Sequence, residues 1–167
     1  RYGPSTDEKQ AMLGEEQWQW LKQELLKPAE VRIIATSIQF ASNNHGFERW
    51  DTLPKEQKRM LSLLKDTEAK GVIFISGDRH LSELMKVPKY ESGLSYPLYD
   101  FTSSSFNKSY TNNFLRKTSR QVGEAVFEDN FGIIDINWSK ETTIDLMLQG
   151  IEKKPYLSKT ISLSELQ

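Results

Sequence analysis

Two residues in the stretch GVIFISGDRHLSEL (71–84) have side chains suited to chemistry. Asp78 and His80 stand two apart, just after Gly77, where the apolar run Val72–Ser76 ends. A carboxylate and a neutral imidazole can each bind a divalent or trivalent metal ion. In an extended backbone the side chains at i and i+2 point the same way, so both could reach one pocket. Gly77 permits a sharp turn or a close approach to a ligand. A plainer reading has Asp78 capping the short segment RHLSEL, with His80 merely exposed. The pattern Asp-x-His leaves both readings open.

The chain has only one other histidine, His45, in HGFERWDTLPKEQKR. Glu48 and Asp51 stand close to it. This polar loop (41–53) is expected to follow a strand, as Asp78 and His80 do. If the two strands are parallel, both loops open on the same edge of a sheet, where ligand sites collect. The two histidines would then converge with their acidic neighbours on one rim. The alternative is a solvated loop anchored by a packed Trp50.

The elements that must position these residues are legible from periodicity. MLGEEQWQWLKQELLK predicts a helix over 14–27, with Trp18, Leu21 and Leu25 on one stripe and Pro28 ending it. VRIIATSIQF (31–40) predicts a strand. Pro54 opens a helix over 55–69, where Met60, Leu61 and Leu64 supply the buried side. Gly71 and the strand VIFIS (72–76) follow. Helix–strand–helix–strand with crossovers of this length predicts neighbouring parallel strands with both helices on one face. Beyond residue 84, YPLYDFTSS (96–104), EAVFEDNFGIIDINW (124–138), TTIDLMLQG (142–150) and KTISLSEL (159–166) predict strands with tight turns. NWSKET reads as a hairpin loop. A long polar segment, 103–120, carries aromatic residues between the first two of these strands.

The 167 residues fit one domain, or part of a larger one. The chain is 37% hydrophobic and 27% charged, a soluble globular composition. A net charge of −1 does not favour nucleic acid as a specific partner. No apolar run reaches the roughly 18–20 residues of a membrane span. Cysteine is absent, which excludes disulfides and thiolate ligands, so a metal would be held by oxygen and imidazole. The chain opens RYGPSTDEKQ, without methionine, and reads as a processed chain or a piece of something longer.

MLGEEQWQWLKQELL, IIATSIQF, HGFERWDTLPKEQKRMLSLL, VIFISGDRHLSEL and YPLYDFTSSSFN, in that order, resemble the C-terminal part of alkaline phosphatase D-like (PhoD-like) enzymes of the calcineurin-like metallophosphoesterase superfamily. The resemblance covers about residues 12–138, and the tail suits the family's closing strands. It implies an α/β fold: the C-terminal half of an α/β/β/α sandwich, with parallel strands first and mostly antiparallel strands after. It also implies a two-metal centre, with calcium or iron as the ions and manganese or zinc as alternatives. The superfamily's last metal motif, Gly-His-x-His, corresponds to Gly77-Asp78-Arg79-His80, so Asp78 would bind one metal and His80 the other. Gln39 stands where the superfamily has a lone strand-end histidine.

The implied reaction is hydrolysis of phosphate mono- or diesters, with water activated between two cations. His45 would either protonate the leaving oxygen or hold its loop by a hydrogen bond. Gln39, Trp50 and Asp51 would face substrate, with Phe47 and the 103–114 segment adding to the wall. The family's first motifs, an Asp, a bridging Asp and an Asn, lie upstream of anything in this chain. The expected partner is therefore the missing N-terminal part of the same enzyme. By resemblance that enzyme is exported or membrane-associated, with any signal outside this chain. Two rival readings are a non-catalytic fragment that supports another subunit and a carbohydrate- or nucleic-acid-binding β module.

Overall fold

The structure, a computed structural model, describes all residues except 1–4, 6, 8–9, 111–115 and 117. Helix α1 (Glu15–Leu25) buries Trp18, Leu21 and Leu25. Glu15 and Glu16 in its first turn and Lys22 in its last complement the helix dipole. Helix α2 (Pro54–Asp66) starts on its proline, which has no N–H to leave unsatisfied, and buries Met60 and Leu64. Leu61 is only half-buried.

Strands β1 (Arg32–Ala35) and β2 (Val72–Ser76) pair in parallel, as expected, with Arg32 beside Val72 and Ala35 beside Ile75. Gly71 sets this register. Its φ is +68°, and a Cβ there would lie 1.9 Å from the Glu30 carbonyl oxygen. Its carbonyl accepts from the Arg32 N–H, and its own N–H donates to the Leu166 carbonyl, both at 2.8 Å.

The strand expected over 31–40 ends at Ala35. The reason lies downstream in strand β4 (Leu98–Ser103), where the buried Asp100 accepts the N–H groups of Phe40 and Ala41. Those donors are thereby held by a carboxylate and not by a neighbouring strand.

β4 pairs in parallel with β2. Strand β3 (Ser82–Val87) pairs antiparallel with β4, and strand β5 (Gln121–Val126) antiparallel with β3. The five-stranded order is β1-β2-β4-β3-β5. RHLSEL therefore leads into a strand, and Asp78 has no helix to cap. The extended i, i+2 geometry fails too: Asp78 and His80 both have left-handed backbone, at φ 68° and 54°.

The strand expected over 124–138 divides into β5 and β6 (Asn130–Asn137), which belong to different sheets. β6, β7 (Thr143–Gly150) and β8 (Pro155–Ser162) form a three-stranded antiparallel sheet, with the β6–β7 hairpin where NWSKET predicts it. The last strand ends earlier than expected, and Leu163–Leu166 form a 3₁₀ turn.

The layers follow from strand alternation. Phe74 stacks on Phe40 with ring centroids 4.1 Å apart, Phe40 meets Trp50, and Trp50 meets Trp18 of α1. Glu56 of α2 accepts the indole N–H of Trp18, so both helices lie on this face. Ile75 and Phe101, one residue on, turn to the other face. There β6 comes close: a Cβ on Gly132 would lie 2.9 Å from the Phe101 ring. The result is a mixed α/β fold whose parallel strands come first and whose antiparallel strands follow.

Candidate active site

The carboxyl ends of β1, β2 and β4 share one edge of the sheet with the start of β3, which runs the other way. The loop 36–49 and the turn 77–81 both lie there, as the parallel topology requires. Beneath the loops is a buried polar network. Asp100 accepts from Phe40 N (2.7 Å), Ala41 N (2.8 Å) and Ser76 Oγ (2.8 Å). Gln39, wholly buried, donates its amide to Glu83 Oε1 and Thr102 Oγ1, each at 2.7 Å. Glu83 also accepts from Asn44 Nδ2 at 3.1 Å. Burial pushes both carboxyls, Asp100 and Glu83, above their ordinary range, against the pull of their hydrogen-bond donors.

His45 joins this network through Gln39, whose Oε1 lies 2.8 Å from its Nε2. The Phe47 N–H donates to His45 Nδ1 at 3.1 Å. Nδ1 is thus an acceptor, so Nε2 carries the proton and donates to Gln39. Burial first, then the charges of Arg79 and Arg49, push the imidazole pKa down to about 3. The ring is neutral at pH 7 with both nitrogens engaged.

Asp78 and His80 sit above, on the turn. Asp78 is exposed, and its carboxylate makes no hydrogen bond among the described residues. His80 is half-buried. Its backbone N–H donates to Ser104 Oγ and its carbonyl accepts from Tyr110 N. Its Nδ1 lies 3.3 Å from the Lys108 carbonyl, which can only accept, so that bond puts the proton on Nδ1 and leaves Nε2 with a free lone pair. A metal-binding histidine is commonly held in this way. Two left-handed non-glycine residues within three positions form the kind of backbone that clusters at ligand sites.

Gln39 and His45 are therefore together. No hydrogen bond links either to Asp78 or His80 among the described residues. Trp50 is 1% exposed and donates its indole N–H to Thr36 Oγ1 at 2.8 Å, the place of a core anchor. Asp51 is ion-paired with Arg49, and Glu48 is half-buried. Phe47 is exposed at the rim. Of the expected 103–114 wall, 111–114 lie outside the described residues.

Glu83, Asp100 and Arg79 did not stand out in the sequence. The available signal was Asp100 itself, a charge inside the apolar strand YPLYDFTSS. No three or more His, Asp or Glu side chains converge as a metal site among the described residues. On the 77–81 turn the side chains able to ligate a cation are one exposed carboxylate, Asp78, and one half-buried imidazole, His80.

A family model described as PhoD-like phosphatase matches residues 2–147. The chain is similar to alkaline phosphatase D of Bacillus subtilis (strain 168), at 30% identity over 92 residues. That match takes in 47% of this chain and 16% of that protein. A solved structure described as the structure of PhoD superposes with a TM-score of 0.58 at 20% identity, covering 96% of this chain and 34% of the other. At that identity the superposition speaks for a common fold.

Proposed function

The chain belongs to the PhoD-like phosphatase family, and from that premise we propose that it supplies Asp78 and His80 to a two-cation centre hydrolysing phosphate mono- or diesters. The remaining ligands would come from parts of the protein outside this sequence, which spans 16% of its Bacillus relative. The observation that carries the reading is the 77–81 turn. It offers an unengaged carboxylate and an imidazole with a free Nε2 at the carboxyl edge of the parallel strands.

Asp78, a hard oxygen donor, suits calcium or manganese, and His80, an imidazole, suits iron or zinc. When bound, such cations would supply positive charge that offsets the phosphoryl oxygens and eases deprotonation of the attacking water. His45 would act as a positioning residue, holding Gln39 and the loop, since a neutral ring with both nitrogens engaged is not poised to donate a proton.

The test is made in the full-length protein. Asp78→Asn and His80→Ala are each expected to lower total bound metal, and to cut hydrolysis of p-nitrophenyl phosphate and bis-p-nitrophenyl phosphate at least about 100-fold. Parental metal content and rates in both variants would remove the proposal. A second reading, a supporting unit without chemistry of its own, is favoured by the absence of a converging ligand group among the described residues. Parental metal content together with parental rates in both variants is the result it predicts.

A further inference from the structure

The residue between the two candidate ligands has no role yet. Arg79 is half-buried, and its guanidinium carbon lies 4.7 Å from the centre of the exposed Phe47 ring. Its Nε is fully shielded from solvent and has no hydrogen-bond partner. Among the described residues the side chain makes no hydrogen bond or ion pair of any kind. Its charge is felt by Glu83, Asp78 and His45, but none of them accepts a hydrogen bond from it. Every other arginine in the buried surroundings is engaged. Arg49 pairs with Asp51, and Arg120 pairs with Glu91 and donates to the Ala41 carbonyl.

A guanidinium has five N–H donors, and shielding even the Nε–H without an acceptor is costly. Native proteins rarely leave such a group unexplained. The contact with Phe47 fixes where the cation sits and leaves its capacity toward oxygen acceptors unspent. A planar fork of donors at a rim matches the oxygens of a phosphoryl group, which it can contact through two parallel bonds.

We propose that Arg79 is the substrate-binding residue for the phosphoryl group, donating to its non-bridging oxygens from the Phe47 shelf while Asp78 and His80 face the cations. This rests on the reading of the 77–81 turn given above. The alternating order within the turn gives Arg79 a place of its own. The left-handed φ values of Asp78 and His80 bracket it, so the backbone is irregular on either side of Arg79. Arg79 then faces Phe47 and the buried network, whereas His80 faces Tyr110, with ring centroids 4.8 Å apart. A rival role is neutralisation of the buried Glu83 charge, and it makes a different prediction.

The experiment titrates inorganic phosphate into the full-length, metal-loaded protein by calorimetry, beside steady-state kinetics with p-nitrophenyl phosphate and total-metal analysis. Arg79→Gln is expected to weaken phosphate binding about ten- to hundredfold, the loss of one or two charge-assisted hydrogen bonds, and to raise KM, with metal content unchanged. Added guanidinium is expected to restore part of the rate. Phosphate affinity within twofold of the parent would overturn the proposal. Arg79→Lys keeps the charge and the stem, and serves if the glutamine variant does not fold. It should still bind phosphate severalfold more weakly, because an ammonium cannot make two parallel contacts, and parental affinity in it would equally overturn the proposal.

If Arg79 serves only to neutralise Glu83, the double variant Arg79→Gln/Glu83→Gln recovers parental phosphate affinity, which counts against the proposal; continued weakness supports it. Failure of the metal-centre reading shows separately, as parental metal content in Asp78→Asn and His80→Ala. The phosphate titration of the Arg79 variants is unaffected by that outcome.

Discussion

Asp100 is the keystone of the loop that carries Gln39 and His45, and its replacement separates two effects. Three donors point at its carboxylate: Phe40 N, Ala41 N and Ser76 Oγ. In Asp100→Ala the Ser76 hydroxyl can turn to Thr102 Oγ1, 2.9 Å away, but the two backbone N–H groups lose their acceptor in a site closed to water. At about 1–3 kcal/mol for each buried orphan donor, the loss is about 2–6 kcal/mol. Asp100→Asn keeps one oxygen for the two N–H groups and turns its amide to Ser76 Oγ. That loss is expected to stay below about 1 kcal/mol.

The pH dependence has a definite sign. Burial raises the Asp100 carboxyl above 3.8, so the unfolded chain ionises first. This contribution to stability is present at low pH and is lost as pH rises from 3.8 through the folded value. Asn removes that part of the slope. Urea unfolding of the protein carrying this sequence, at a series of pH values, measures both quantities. Equal losses in the two variants, or less than about 1 kcal/mol in Asp100→Ala, would refute the assignment of Asp100 as the acceptor that holds the loop.

Two further outcomes are expected. The His45 pKa is lowered to about 3, so its contribution runs the opposite way: stability rises with pH between about 3 and 6.5, and this increment should vanish in His45→Asn when parent and variant are compared by unfolding across that range. Gly71→Ala would place a methyl 1.9 Å from the Glu30 carbonyl oxygen at φ +68°, so a loss above about 2 kcal/mol in thermal or urea unfolding is expected, and a loss below about 1 kcal/mol would show that the β1–β2 start can shift.

Local periodicity carried the first half of the fold. The Trp18, Leu21, Leu25 stripe, the proline at the start of α2 and the run Val72–Ser76 all lie where pattern places them. β3 was hidden because Ser82, Glu83 and Lys86 break the apolar run of a strand that is nevertheless largely buried. Their polarity is satisfied by residues far away in sequence, such as Gln39 for Glu83 and Glu165 for Lys86. The early end of β1 was hidden for the same reason, since Asp100 acts on it from 59 and 60 residues away.

At the site, the shared edge of both loops followed from parallel topology. The local backbone at the turn did not, because it is left-handed at Asp78 and His80 and not extended. Trp50 offered its indole either to substrate or to the core, and only Trp18 and Phe40 packing against it decided for the core. Arg79 gave no signal by type or spacing; its isolation from acceptors is visible only in three dimensions.

The strand order β1-β2-β4-β3-β5 also sets a sequence of events. β2 and β3 are consecutive along the chain, yet β4 lies between them, so the turn that carries Asp78 and His80 spans two strand spacings, about 10 Å. It cannot zip up as a local hairpin. β3 has no neighbour to pair with until Leu98–Ser103 arrives and inserts, and its other neighbour, β5, lies later still in the chain. Pairings across a long stretch of chain form slowly, because the loop entropy must be lost before any contact is gained. During synthesis the candidate ligands would emerge ahead of the strand that fixes them and wait as an open loop. Completion of the site is thus tied to the insertion of β4, and the same strand brings Asp100 beneath the neighbouring loop. One late step would fix both the 77–81 turn and the loop that carries Gln39 and His45.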